Sequence, residues 1–98
     1  MTIPIQFTNL TNEVSEQLEA FTREKFSRLH KLASNITSIH VTFNVVKLRH
    51  IAEADIHVPK TDIHAKAESD DMYKTVDSLV DKLSIQLRKH KEKISDHD

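Results

Sequence analysis

The sequence predicts an α+β domain of order β-α-β-β-β-α, a four-stranded mixed sheet with two roughly parallel helices packed on one face. Three observations lead there. Apolar residues alternate with polar ones in four stretches, the period of a half-buried strand, and recur at three- and four-residue steps in two longer stretches, the period of an amphipathic helix. One helical stretch falls between the first two strands and the other follows the last. Strands joined through a helix run parallel by a right-handed crossover, whereas strands joined by short turns run antiparallel. With one apolar face per strand, both helices must cover the same side.

Taken in order, Ile3, Ile5 and Phe7 alternate with Pro4 and Gln6 as a short first strand, and Pro4, lacking an amide donor, predicts an edge position. Ser15 caps the first helix, with Glu16 in its first turn. Leu18, Phe21, Lys25, Leu29 and Leu32 form a stripe that Phe26 and Ala33 widen, so this helix is expected to reach about Leu32. Asn35 marks a turn, after which Ile39, Val41, Phe43 and Val45 alternate with His40, Thr42 and Asn44. Beyond a basic connection from Lys47 to His50, Ala52, Ala54, Ile56 and Val58 alternate with Glu53, Asp55 and His57.

Pro59-Lys60-Thr61-Asp62 reads as a four-residue hairpin loop before Ile63, Ala65 and Ala67, which alternate with His64, Lys66 and Glu68. Closing that loop pairs Val58 with Ile63, Ile56 with Ala65 and Ala54 with Ala67, and sets Asp55 beside Lys66 and Glu53 beside Glu68 outside. The second helix begins near Asp70 or Asp71 and aligns Met72, Val76, Leu79, Val80, Leu83 and Leu87. Residues 1–94 form one domain, and 95–98 a short polar tail.

Composition removes whole classes of function. A chain of 98 residues, 38% apolar and 30% charged, is that of one soluble domain. Without cysteine there are no disulfides, thiol nucleophiles or cysteine-bearing zinc sites. Without glycine there are no phosphate-cradling loops, dinucleotide fingerprints or serine elbows, each of which needs positive φ or close backbone approach. No serine, histidine and carboxylate cluster stands apart from the helical and strand periods, so no enzyme activity and no cofactor are expected. No basic leader precedes an apolar stretch and no run approaches the ~18 apolar residues of a membrane span, which points to the cytoplasm and away from membranes.

The charge is unevenly spread. The formal net charge is -1, yet five carboxylates (Glu68, Asp70, Asp71, Asp77, Asp81) stand against Lys74 at the start of the second helix. Five cations (Lys82, Arg88, Lys89, Lys91, Lys93) stand against Glu92 at its end. The second half of the first helix carries Arg23, Lys25, Arg28 and Lys31 against Glu24. Both helices follow strands of the same direction, so their basic halves are expected side by side. Helix dipoles favour cations at C-terminal ends, but that effect fades within the last turn and does not account for Lys25, Lys82 or Arg88. Only five aromatics are present, four of them Phe at core-like positions, which disfavours stacking on single-stranded bases. Phosphate and shape recognition of structured RNA fits better, and about six phosphates would give a log-affinity slope against log salt of roughly -4 to -5.

Seven histidines raise the question of a metal. The four-residue loop register sets His57 opposite His64, and the neighbouring pairing brings His40 beside His57. A flat row of imidazoles without a supporting carboxylate is not a tetrahedral site, and no metal is expected.

Asp71-Met72-Tyr73, Val76-Asp77, Asp81-Lys82-Leu83, Gln86-Leu87 and Lys89-His90-Lys91 closely resemble the short ribosome hibernation promoting factors of the ribosome-associated inhibitor and sigma-54 modulation protein family. Lys25-Phe26, Leu29, Lys47, His50, His57-Val58 and Ile63-His64-Ala65 extend the resemblance over nearly the whole chain. It implies a stationary-phase factor, monomeric when free, that occupies the decoding region of the small ribosomal subunit and keeps out mRNA and tRNA. Carried over by position, Lys25, Arg28, Lys82, Arg88, Lys89 and Lys91 would face rRNA phosphates, with Lys47, Lys93 and Tyr73 as weaker candidates. Tyr73 also reads as packing at the helix start, and Asp71 as a helix-start residue.

The sequence departs from the family pattern at Ser69, where many members have glycine, and at Leu32, where many have an aromatic. Ending at Asp98 matches the short form, which in the family promotes inactive ribosome dimers jointly with a ribosome modulation factor. The alternative reading is a general structured- or double-stranded-RNA-binding module without ribosome specificity.

Overall fold

The computed structural model describes residues 5–10, 15–31, 35–59 and 61–95, without the side chains of 30 and 90–95. The element order is β1 (Ile5–Asn9), α1 (Glu16–Ser27), a 3-10 turn (Arg28–Lys31), β2 (Ser38–Val46), β3 (Arg49–Val58), β4 (Thr61–Ser69) and α2 (Met72–Ser95). The sheet order is β1-β2-β3-β4, with β1 parallel to β2 and the other pairs antiparallel. This is the expected topology. β1 lies at an edge; Ile3 and Pro4, on which the edge position was argued, are outside the described residues.

One face of the sheet is the core. Ile5, Ile39, Ile56 and Ile63 stand in one row across it, and Phe7, Val41, Ala54 and Ala65 in the next. The choice of side chain follows the cover. α2 lies against β3 and β4, whose inward residues Ala52, Ala54, Ala65 and Ala67 are small enough to admit it closely. Larger residues, Ile39, Val41 and Phe43 on β2 and Phe7 on β1, meet the side where Leu18 and Phe26 of α1 are buried. Phe7 stacks on Phe43 at 5.8 Å, and the Arg23 guanidinium lies 4.9 Å from the Phe7 ring centre, tying α1 to β1.

Ser15 caps α1, its hydroxyl accepting from the Leu18 amide at 3.2 Å. α1 ends earlier than its apolar stripe predicts. The Arg28 amide reaches back to the Lys25 carbonyl, and the chain tightens into the 3-10 turn that keeps Leu29 fully buried. Leu32 and Ala33 lie outside the described residues.

The hairpin register differs from the expected one. Val58 pairs with Thr61, Ile56 with Ile63, Ala54 with Ala65 and Ala52 with Ala67, so the loop contains only Pro59 and Lys60, the latter outside the described residues. A slip of two residues leaves every side chain on its own face, so alternation does not distinguish the two registers. The outer face does. The observed register opposes Glu53 to Lys66, Asp55 to His64 and His57 to Asp62, where the longer loop would oppose Glu53 to Glu68.

The row of imidazoles is thereby broken. His40 and His64 flank Asp55, and His57 pairs with Ser38 and Asp62. His64 Nδ1 donates to Asp55 and His57 Nδ1 to Asp62, each at 2.6 Å, while His40 Nε2 lies 2.6 Å from the Thr8 hydroxyl. Among the described residues, no three histidines or carboxylates are grouped to hold a metal ion.

A hydroxyl cluster joins β4 to α2. The buried Thr75 hydroxyl lies 3.0 Å from the carbonyls of both His50 and Asp71 and 2.7 Å from the Ser69 hydroxyl. Ser69 Oγ accepts from the Asp71 amide, and the Asp71 carboxylate accepts from the Tyr73 amide. The turn therefore needs no glycine: among the described residues only Lys47, at φ 59°, has positive φ. Thr75→Val removes the side-chain donor to the His50 carbonyl and the hydroxyl partner of Ser69, while the Asp71 carbonyl keeps the Thr75 amide and the Ser69 hydroxyl. It is expected to cost about 1–2 kcal/mol, measured by urea unfolding against wild type.

Candidate nucleic-acid interface

α2 runs the length of the domain. At its start Thr75 meets His50 near the β2–β3 hairpin; further on, Lys82 Nζ donates to the Lys66 carbonyl at 2.8 Å and Gln86 Nε2 to the His64 carbonyl at 2.9 Å. These two side chains, one turn apart, satisfy alternate carbonyls of edge strand β4. The progression from Lys66 to His64 carries Arg88 and Lys89 toward the β3–β4 hairpin.

The register of the helices is set by two contacts. Phe21 packs edge-on against Tyr73 at 4.9 Å between ring centres, and one turn later along both helices Lys25 Nζ lies 3.3 Å from the Asp77 carboxylate. The helices are parallel and start at the same end, as expected, but α1 has 12 residues and α2 has 24. The basic half of α1 therefore lies beside the acidic half of α2. The expectation that the two basic halves adjoin is corrected on this point, because α1 is shorter and, by these two contacts, offset about one turn back along the axis, which puts the end of α2 beyond its reach.

The proposed contacts consequently fall into different settings. Arg88 and Lys89 are exposed just after Leu87, the last buried residue of α2 among the described side chains, and have no ion pair among the described residues. Arg28 is exposed at the head of the 3-10 turn, also without an ion pair among the described residues. Lys82 is exposed, with one proton committed to β4. Lys25 is largely covered, held between Asp77 and the face of Phe21, 5.4 Å from the ring centre. Lys91 and Lys93 belong to the last turns of α2, their side chains outside those described.

Two residues stand apart. Lys47 sits in the β2–β3 hairpin, at the other end of the sheet from Arg88 and Lys89. Tyr73 is half exposed and packs on Phe21, which is the packing role. Asp71 caps α2.

Sequence reasoning missed Asp77 as the partner of Lys25. The periodicity of α1 already places Phe21 and Lys25 on one flank, and that of α2 places Tyr73 and Asp77 likewise, but which flanks meet depends on packing. No helix among the described residues is long and apolar enough to cross a membrane.

Comparison with known proteins agrees with the fold. The ribosome hibernation promoting factor of Salmonella typhimurium is 39% identical over 93 residues, covering 95% of this chain and 98% of that protein. A solved ribosomal subunit interface protein from Coxiella burnetii is 41% identical and superposes with a TM-score of 0.87, over 92% of this chain and 99% of the other. The N-terminal domain of Protein Y from Thermus thermophilus, at 20% identity, shares the fold with a TM-score of 0.80 over 92% of this chain and 99% of its own. A family model described as sigma 54 modulation protein / S30EA ribosomal protein matches residues 3–95. With strand order, helix placement and end-to-end sequence likeness in agreement, the chain belongs to the sigma 54 modulation protein / S30EA ribosomal protein family.

Proposed function

We propose that this protein is a ribosome hibernation factor that binds the small ribosomal subunit in the decoding region, blocks mRNA and tRNA there, and promotes inactive ribosome dimers in stationary phase. The observation that carries this reading is the likeness, across almost the whole of both chains, to a protein named for ribosome hibernation. The geometry supplies a physical means. Arg88 and Lys89 project from a rigid helix whose inner face is anchored by Leu79, Leu83 and Leu87, so their spacing is preset when they meet a phosphate backbone. Arg28 and Lys82 extend the contact, Lys91 and Lys93 continue it along α2, and Lys25, Lys47 and Tyr73 are the peripheral members of the proposed set. The protein acts by occupancy, without chemistry, in the cytoplasm and on the ribosome, jointly with a ribosome modulation factor where dimers form.

Sucrose-gradient sedimentation of small subunits and intact ribosomes with added protein tests this. Stoichiometric co-sedimentation at low salt, loss at high salt, and resistance to excess plain RNA duplex are expected. Displacement by the duplex would instead identify a general RNA-binding module.

A further inference from the structure

We propose that Asp77 is an internal competitor for Lys25, its carboxylate holding the ammonium back from phosphates and so setting how readily α1 engages an arbitrary polyanion. This rests on the phosphate-binding reading of the basic residues. Of the proposed contacts whose side chains are described, only Lys25 is in an ion pair. Its ammonium is confined on two sides, by the Asp77 carboxylate at 3.3 Å and by the Phe21 ring at 5.4 Å, and Tyr73 buttresses that ring at 4.9 Å.

The two partners are unequally exposed. The Lys25 side chain keeps 26% of its surface and that of Asp77 56%. The carboxylate is therefore the half of the pair more open to water, and the less confined of the two. A phosphate approaching Lys25 must displace Asp77 or share the ammonium with it, against the repulsion of that carboxylate. Exposed ion pairs are weak enough to be exchanged by a phosphate held in the right place. For a duplex bound loosely and in many registers, the same carboxylate is a standing repulsion, which is how like charges suppress wrong partners. The axial offset of the helices creates this arrangement by laying the cations of α1 along the acids of α2.

The test is fluorescence anisotropy of a labelled plain RNA duplex over a salt series, with wild type, Asp77→Asn, Lys25→Gln and the double variant. Asp77→Asn is expected to tighten binding about fivefold at low salt and to steepen the log–log salt slope by about 0.7–0.9, the increment of one added phosphate contact. In the Lys25→Gln background the same substitution is expected to change affinity by less than about twofold, because the competitor then has nothing to release. Asp77→Glu keeps the carboxylate and is expected to match wild type.

An equal gain with and without Lys25 would mean that Asp77 acts only through net charge, and would overturn the proposal. So would no gain, or a loss, which would make the pair a device for orienting Lys25. Small-subunit sedimentation of the wild type is read separately. If it fails while the Lys25-dependent gain on duplex persists, the ribosome reading falls and the competition stands.

Discussion

Reversing both charges in Arg88→Glu/Lys89→Glu is expected to abolish co-sedimentation with small subunits, lowering affinity more than about 100-fold at low salt. Two phosphate contacts are lost and two carboxylates are set against the same backbone. The salt slope is expected to flatten by about 1.4–1.8, the increment for two contacts. Both side chains are exposed and unpaired among the described residues, so the core does not depend on them. Positions 88 and 89 lie more than one turn before the end of α2 at Ser95, where the helix dipole has little effect, so melting is expected to fall by no more than a few degrees. Circular dichroism should be unchanged. Unaltered sedimentation of the double variant would remove the end of α2 from the interface. Lys82→Gln is expected to have a smaller effect, since one Lys82 proton is already engaged by the Lys66 carbonyl.

The largest expected loss of stability is at Leu83. Its side chain is fully buried where α2 crosses the alanine rows of β3 and β4. Helix and sheet already approach closely there, so the void left by Leu83→Ala has little room to collapse. The expected cost is about 3–4 kcal/mol, against a total of roughly 5–15 kcal/mol for a domain. That corresponds to a fall in melting temperature of about 15–20 °C for a domain of this size. Leu83→Met conserves volume and is expected to cost less than about 1.5 kcal/mol. Thermal and urea unfolding followed by circular dichroism measure both. A loss below about 1 kcal/mol for Leu83→Ala would show that α2 can settle onto the alanines. The two variants also separate roles: Leu83→Ala weakens the platform and leaves the cations in place, whereas the double reversal does the opposite.

Much of the fold was legible because side-chain period and facing are local properties. Ile39, Val41 and Phe43 declare an inward face by alternation, as Leu79, Leu83 and Leu87 do by helical spacing, and the structure buries all six. The Ser15 cap and the Asp71 start are equally local, each one side chain reaching an amide two or three residues on. The hairpin register was not legible in the same way. Moving β4 by two residues keeps Ile63, Ala65 and Ala67 inward, and the outer-face pairs Glu53 with Lys66, Asp55 with His64 and His57 with Asp62 distinguish the observed arrangement.

The cationic end of α2 could likewise be read directly, since Arg88 and Lys89 follow Leu87 in a continuous helical pattern. What happens to Lys25 could not. Its place on α1 is local, but its neighbour is chosen by how far one helix is shifted along the other. A shift along the axis leaves every residue on its own face, so no periodicity records it. The amino-acid order thus determined the elements, their inward faces, the topology and the charge at the end of α2. Only the assembled structure decided the strand register, through the pairs that meet on the outer face, and the axial offset of the helices, which left Arg88 and Lys89 open to solvent and gave Lys25 to Asp77.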